Sequence, residues 1–316
     1  MRSVLQKTTD IGPTPMHPEN LHSRIAVVGG GASGIGFKIS RAPANAGYRV
    51  IMINRKEEQH TDAVDKTRKE SPDAEVDWKP CDVGNLAETR DVFSKLRDEL
   101  LPGINTNQYG LDADGIDRHF GVNALGQFYV CNQLWPVLRK TAKDPRSPAP
   151  RVVFEASEMH RAAPSNAHFA TLDEINNPEL GPTELYGRTK LAMILFAKYG
   201  LVEKVIEKNG DNIYAVSMHP GAVNTEMQQQ CKDTYPGLTG KLLTWAMLAT
   251  GRNALTSPKM IEQNLNGHYF NDPDSPGKKS TQASDLVLGD ALWALTGRLV
   301  KSRLGDDALL GWDAAY

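Results

Sequence analysis

Tyr186 and Lys190, in Tyr186-Gly187-Arg188-Thr189-Lys190, stand four residues apart, which on a helix places them one turn apart on one face. Of the nine tyrosines, only Tyr186 has a lysine four residues later. A free phenol, with a pKa near ~10, is a poor base at neutral pH, and an ammonium beside it favours the phenolate. Such a pair can move a proton. Far upstream, Gly29-Gly30-Gly31-Ala32-Ser33-Gly34-Ile35-Gly36 follows an apolar run directly. Glycines there let the chain turn sharply and let backbone amides approach a pyrophosphate at the positive end of the next helix. A plain tight turn is the alternative, but the position between a strand and a helix favours phosphate binding. About twenty residues on come Asn54 and Arg55. An acid at this point binds a ribose 2′-hydroxyl, whereas a 2′-phosphate needs a cation. Asn54 brings no repulsion and Arg55 offers a bidentate fork, so the pair favours NADP(H) over NAD(H). An ordinary solvated arginine is the plain alternative.

These residues need elements to position them. Residues 24–29 (RIAVVG), 49–54 (RVIMIN) and 75–79 read as strands, and Leu86, Thr89, Phe93, Leu96 and Leu100 recur at the spacing of one helical face. A long helical stretch over 114–140 carries Phe120-Gly121-Val122-Asn123-Ala124-Leu125-Gly126. Residues 151–156 (RVVFEA) form a buried-type strand with Ser157 just past it. Tyr186 and Lys190 open a second long helix over 184–208, and His219-Pro220-Gly221-Ala222-Val223-Asn224-Thr225 follows a strand at 212–218. Residues 267–270 (GHYF) make a last strand, and Leu286, Leu292, Trp293 and Leu299 mark a terminal helix on the outside. Strand and helix in regular alternation predict an α/β fold, a doubly wound parallel sheet of Rossmann type. A single domain over 22–305 is expected, with a flexible arm over 1–21 and a tail over 306–316.

Composition excludes several classes. The 316 residues carry 36 basic and 38 acidic side chains, a net charge of −2, with no long block of one sign, so neither nucleic acid nor an acidic membrane is an expected partner. Cys81, Cys131 and Cys231 are odd in number and form no CxxC pair, which points to a reducing, cytoplasmic setting without disulfides or zinc. The most apolar segment, 242–250, is far shorter than the ~20 residues of a membrane span. His160 and His219 flank the candidate site without ligand spacing and read as supports behind the reacting groups or as structural, so no metal is expected.

The order of these motifs resembles the short-chain dehydrogenase/reductase family, in its retinol-dehydrogenase-like and fungal oxidoreductase branch. The glycine loop is similar to the family's TGxxxGxG with Gly29 in the threonine's place, and Asp82 in Cys81-Asp82-Val83 is similar to the acid beside the adenine. Asn123, Ser157, Tyr186 and Lys190 resemble the catalytic tetrad, and residues 220–225 the segment holding the nicotinamide carboxamide. The resemblance, from about 24 to 300, implies cofactor contacts from Gly30, Ser33, Gly34, Ile35, Gly36, Asn54, Arg55, Asp82, Val83, Asn123, Tyr186, Lys190, Val223 and Thr225. It implies Tyr186 as general acid or base, Ser157 as hydrogen-bond partner of the substrate oxygen, Lys190 on the nicotinamide ribose and Asn123 holding a relay water. The implied function is interconversion of a carbonyl and an alcohol on a hydrophobic small molecule, as in secondary metabolism, by a chain that can form homo-oligomers. The apolar residues of 226–250 suit a polyketide, terpenoid, retinoid or steroid-like ligand, or plain core packing.

Three departures stand against this pattern. Pro43 falls inside the helix after the glycine loop, where it costs ~3 kcal/mol in a helix interior, so the helix is expected to end early or kink. The family's fourth strand and its NNAG motif are missing in recognisable form; residues 95–101 are the candidates for that strand, although Arg97, Asp98 and Glu99 suit it poorly. The segment 251–258, before the last strand, is abrupt. Two readings therefore stay open: an active NADP(H) oxidoreductase, or a catalytically impaired nucleotide-binding paralogue. An epimerase or dehydratase on the same fold is disfavoured by the short-branch glycine spacing.

Overall fold

The structure is a computed structural model and describes residues 24–97, 110–220, 265–272 and 275–314. Its first section is a parallel sheet of β1 (Ile25–Gly29), β2 (Arg49–Ile53) and β3 (Val76–Lys79), in the order β1-β2-β3. β2 sits in the middle, and Val50, Ile51, Met52 and Ile53 are fully buried, as an uninterrupted apolar run in a parallel sheet must be. Helices α1 (Gly34–Asn45), α2 (Glu57–Glu70) and α3 (Leu86–Arg97) connect and cover these strands.

Pro43 lies in the last turn of α1. The helix ends two residues later, and the Pro43 carbonyl accepts from the amides of Ala46 and Tyr48, both at 3.0 Å. Placed so late, the proline disturbs little helix. α3 buries Leu86, Thr89, Phe93 and Leu96 along one face, as the periodicity predicts. Lys95 to Arg97 belong to this helix and not to a central strand, which corrects that part of the 95–101 expectation. Residues 98–101 and the abrupt segment 251–258 lie outside the described residues.

The second section runs β4 (Arg151–Glu155), β5 (Tyr214–Met218), β6 (Tyr269–Asp272) and β7 (Ser275–Pro276), parallel except for the last pair. Among the described residues no strand joins β1 to β4, and β4 pairs with β5 alone. Accordingly β4 is less covered than its apolar sequence predicts: Val153 is 42 % exposed.

Two long helical columns carry the candidate site. The first runs through α4 (Arg118–Phe120), a π-helical turn at Gly121–Leu125 and α5 (Gly126–Lys143). After the short α6 (Leu172–Ile175), the second runs through α7 (Pro182–Leu195), π-helical Phe196–Ile206 and α8 (Glu207–Asn209). Together with α9 (Leu286–Leu304), they enclose the largest core cluster, in which Phe128 meets Phe196, Trp293 and Trp312 at ring-centre distances of 5.4, 5.4 and 5.8 Å. Residues 305–314 are bound to this core. Asn132 both donates to the Leu310 carbonyl (2.8 Å) and accepts its amide (2.9 Å), while Trp312 packs on Trp135.

Candidate active site

The glycine loop is shaped by close approach. Gly30 has φ +63°, a region open to glycine, and a Cβ at Gly36 would stand 2.1 Å from the Gly30 carbonyl oxygen. Ser40 Oγ donates to the Gly31 carbonyl at 2.9 Å and locks the loop onto α1. Ser33 precedes α1 in extended conformation, its hydroxyl makes no cap hydrogen bond, and the first turn holds no acid. Donors of a helix N-terminus with no competing carboxylate suit a pyrophosphate, so these residues fit a dinucleotide.

Arg55 is exposed and pairs with Asp82 Oδ2 at 3.2 Å. Asp82 Oδ1 in turn accepts the Gly84 amide at 3.0 Å, and Val83 is fully buried. Asn54 is buried, and its amide donates to the Lys56 carbonyl at 3.3 Å, which makes it a support of the turn that presents Arg55. A cavity opens beside Arg55 and Asp82, with Asp112 and Val122 on its wall. Burial pushes the Asp112 carboxyl up to about 6, against the backbone amides of Ile116 and Asp114 that it accepts.

Ser157 caps the 3₁₀ turn Glu158–Ala162, its Oγ accepting the Met159 amide at 3.1 Å. The hydroxyl proton is still available for a second oxygen. This turn is held from three sides. His160 Nδ1 lies 2.7 Å from the Ser157 carbonyl and its Nε2 accepts the Ser280 amide at 3.1 Å, so the ring serves as a neutral strut. Burial also lowers its pKa. Glu158 accepts from the Tyr269 hydroxyl at 2.7 Å and from Arg161 Nε at 2.8 Å, tying the turn to β6.

α7 lies directly against the turn. A Cβ at Gly187 would meet the Met159 carbonyl oxygen at 2.7 Å and the Ala162 carbonyl carbon at 2.8 Å, both backbone atoms. Only glycine lets Tyr186 come so near the Ser157 segment. Gly187→Ala is therefore expected to destabilise by about 1–3 kcal/mol through overpacking. Turnover should fall with stability in thermal melts and rate assays; an unchanged melting point would show that the turn can retreat.

The lysine is placed by its neighbours. Lys190 is buried, donates to the Glu155 backbone carbonyl at 2.9 Å and lies 3.4 Å from the Glu155 carboxylate. Its Nζ also lies 5.2 Å from the centre of the Tyr186 ring. Burial works against the charge, but Glu155 and Tyr186 outweigh it and hold the lysine above its ordinary pKa. From the first helical column, Asn123 donates to Thr189 Oγ1 at 3.4 Å, and Thr189 donates to the Tyr186 carbonyl at 2.8 Å. Asn123 sits in the π-helical turn and faces Thr189 of α7 from there. Ser157, Tyr186, Lys190 and Asn123 thus lie on elements that pack together: the turn after β4, α7 and the π-helical turn. Val223 and Thr225 lie outside the described residues, as does the apolar stretch 226–250. His219 is half-buried after β5, and burial keeps its pKa low despite Glu158 and Glu155 nearby. Among the described residues no His, Cys, Asp and Glu cluster could hold a metal ion.

Comparison with known proteins decides the family. The short chain dehydrogenase family pattern matches residues 24–146. The short chain dehydrogenase/reductase dpchH of Colletotrichum higginsianum is 30 % identical over 311 residues, covering 89 % of this chain and 76 % of that protein. The chain belongs to the short-chain dehydrogenase/reductase family. Human polyprenol dehydrogenase is 26 % identical over 288 residues, 86 % of this chain and 83 % of its own length. The structure of L-sorbose reductase from Gluconobacter frateurii, complexed with NADPH and L-sorbose, shares the fold with a TM-score of 0.55 at 15 % identity, over 83 % of this chain and 99 % of that one. Membership in this oxidoreductase family accounts for parallel strands flanked by helices and for the glycine loop. Three residues that pack around these side chains stand in no motif role: Glu155 beside Lys190, Gly187 against the Met159–Ala162 backbone and Arg188 on the Glu174 and Ile175 carbonyls. The first carried a signal, a lone acid ending an apolar strand.

Proposed function

We propose that this short-chain dehydrogenase/reductase is an NADP(H)-dependent oxidoreductase that interconverts a carbonyl and an alcohol on a hydrophobic small molecule. The observation that carries the reading is Lys190, buried and charged against Tyr186 on a helix packed onto the Ser157 turn. Gly30, Ser33, Gly34, Ile35 and Gly36 would hold the pyrophosphate, Arg55 the 2′-phosphate, Asp82 and Val83 the adenine side, and Lys190 the nicotinamide ribose. The bound nicotinamide supplies or accepts the hydride. Ser157 Oγ donates to the substrate oxygen and fixes it beside Tyr186. In reduction the Tyr186 hydroxyl gives that oxygen its proton, and in oxidation the phenolate takes it back. Lys190 stabilises the phenolate by charge, and Asn123 positions the water that restores the proton. We place the protein in a reducing, cytoplasmic setting, in keeping with the free, buried thiols of Cys81 and Cys131 and with burial pushing the Cys81 thiol up to about 12. Among the described residues no helix is long and apolar enough to cross a membrane.

Cofactor choice tests the reading of Arg55. Its pair with Asp82 is partly exposed, and surface pairs contribute about 0–1 kcal/mol, so releasing Asp82 costs little. A charge-assisted bond to a phosphate contributes about 1.5–3 kcal/mol. Arg55→Ala should therefore weaken NADPH binding about ten-fold or more relative to NADH. The two affinities can be followed by quenching of tryptophan fluorescence. Equal losses for both cofactors would remove Arg55 from the phosphate site.

A further inference from the structure

Glu155 ends β4 and pairs in register with Met218 of β5, immediately before His219. It reaches Lys190 in two ways. Its backbone carbonyl accepts from Nζ at 2.9 Å, which any residue at this position could do. Its carboxylate, on a side chain 37 % exposed, lies 3.4 Å from the same nitrogen, whose own side chain is 8 % exposed. A glutamate at the end of an apolar run, turned toward a buried ammonium, has a specific electrostatic partner and not a solvated one.

We propose that Glu155 is a positioning residue of the site, its carboxylate holding the Lys190 ammonium at the end of β4 beside the Tyr186 ring. This deepens the oxidoreductase reading and rests on it for its consequences in turnover. The physical argument is one of charge balance. A buried ammonium is costly unless an opposite charge lies close, and Glu155 supplies that charge from the neighbouring element. Carbonyl reduction needs the lysine charge in place beside the Tyr186 ring, 5.2 Å from its centre. The titratable groups that bear on Lys190 are Glu155 at the end of β4 and Tyr186 on α7, and His219 after β5 faces Glu155, Glu158 and Lys190. Glu158 is committed to Tyr269 and Arg161, and His219 is held neutral by burial, so Glu155 is the carboxylate that bears on Lys190.

Glu155→Gln separates the carboxylate from the backbone carbonyl, since the amide keeps side-chain length and removes only the charge. The first readout needs no cofactor. Protein labelled with ¹³C at the lysine Cε is titrated by NMR, with the Lys190 signal assigned through Lys190→Arg. The Lys190 midpoint is expected to fall by about one pH unit or more in Glu155→Gln, with Glu155→Asp in between. The second readout is the pH profile of kcat/KM for NADPH-dependent carbonyl reduction, whose alkaline limb should move to lower pH by a similar amount while the carbonyl KM changes little. Earlier loss of the lysine proton acts in that direction. A Lys190 midpoint unmoved in Glu155→Gln overturns the inference and leaves the backbone carbonyl as the sole anchor. Should that variant fail to fold, an unmoved midpoint in Glu155→Asp overturns it equally. Absence of turnover in the wild-type protein would sink the oxidoreductase reading alone, because the cofactor-free titration still decides Glu155.

Discussion

Replacing Tyr186 with phenylalanine is expected to abolish carbonyl turnover while leaving NADPH binding nearly intact. General acid–base catalysis contributes roughly 10²–10⁴-fold, so the loss should be on the order of 10³-fold or more. The substitution is a clean one in this structure. Phenylalanine keeps the ring that lies 5.2 Å from Lys190 Nζ and loses the hydroxyl's own contact with that ammonium, while the Glu155 carbonyl and carboxylate still hold the cation. It also keeps the backbone carbonyl that accepts from Thr189, and with it the link to Asn123. Only the hydroxyl goes. Lys190→Ala is a different lesion, because one ammonium serves both the ribose and the phenolate, and it should reduce cofactor affinity and rate together. It would also leave the Glu155 carboxylate and carbonyl without their partner. NADPH oxidation with a panel of carbonyl compounds measures the rate, and fluorescence quenching measures binding. Activity retained in Tyr186→Phe would move the proton-transfer role to another group.

Much of this arrangement is legible in the sequence because it depends on short spacings. The four-residue step from Tyr186 to Lys190, the glycines between β1 and α1, and the uninterrupted run of β2 each translate directly into local geometry. What the sequence hides depends on distant partners. Glu155 and Lys190 are 35 residues apart, and nothing in either neighbourhood says that they meet. Gly187 looks like any helical glycine until the Met159–Ala162 backbone is seen against it. The π-helical segments Gly121–Leu125 and Phe196–Ile206 lie within sequences of ordinary helical periodicity, so nothing in their local pattern announces the wider turn. Exposure is equally non-local. The apolar sequence of β4 reads as buried, yet coverage of Val153 depends on what packs on that strand, and only β5 pairs with it among the described residues.

Arg188, between Tyr186 and Lys190 in chain order, is expected to be worth more to stability than any other polar side chain of α7. It is 1 % exposed. Nη1 donates to the Glu174 carbonyl at 2.8 Å and Nη2 to the Ile175 carbonyl at 2.6 Å, while Nη2 also lies 3.4 Å from Asp117 Oδ2. The fork thus joins α7 to α6 and to the start of the first helical column. Asp117 is itself fully buried and caps α4 by accepting the Phe120 amide at 3.0 Å. Arg188→Met removes the cation and leaves a buried carboxylate with two carbonyls that have lost their donor. Breaking one side of a buried pair costs about 3–5 kcal/mol, a large share of the ~5–15 kcal/mol that keeps a domain folded. At roughly 2–4 °C per kcal/mol for a chain of this size, the melting point should fall by on the order of 10 °C. Arg188→Lys should recover only part of this, since one ammonium cannot serve two carbonyls and a carboxylate in the geometry of a planar fork. The double variant Arg188→Met with Asp117→Asn should lose less than the sum of the single changes, because the second substitution removes the uncompensated charge that the first exposes. Strict additivity in that cycle would mean the two residues stabilise the protein independently, and the observed fork would then be a set of carbonyl contacts with no ionic component.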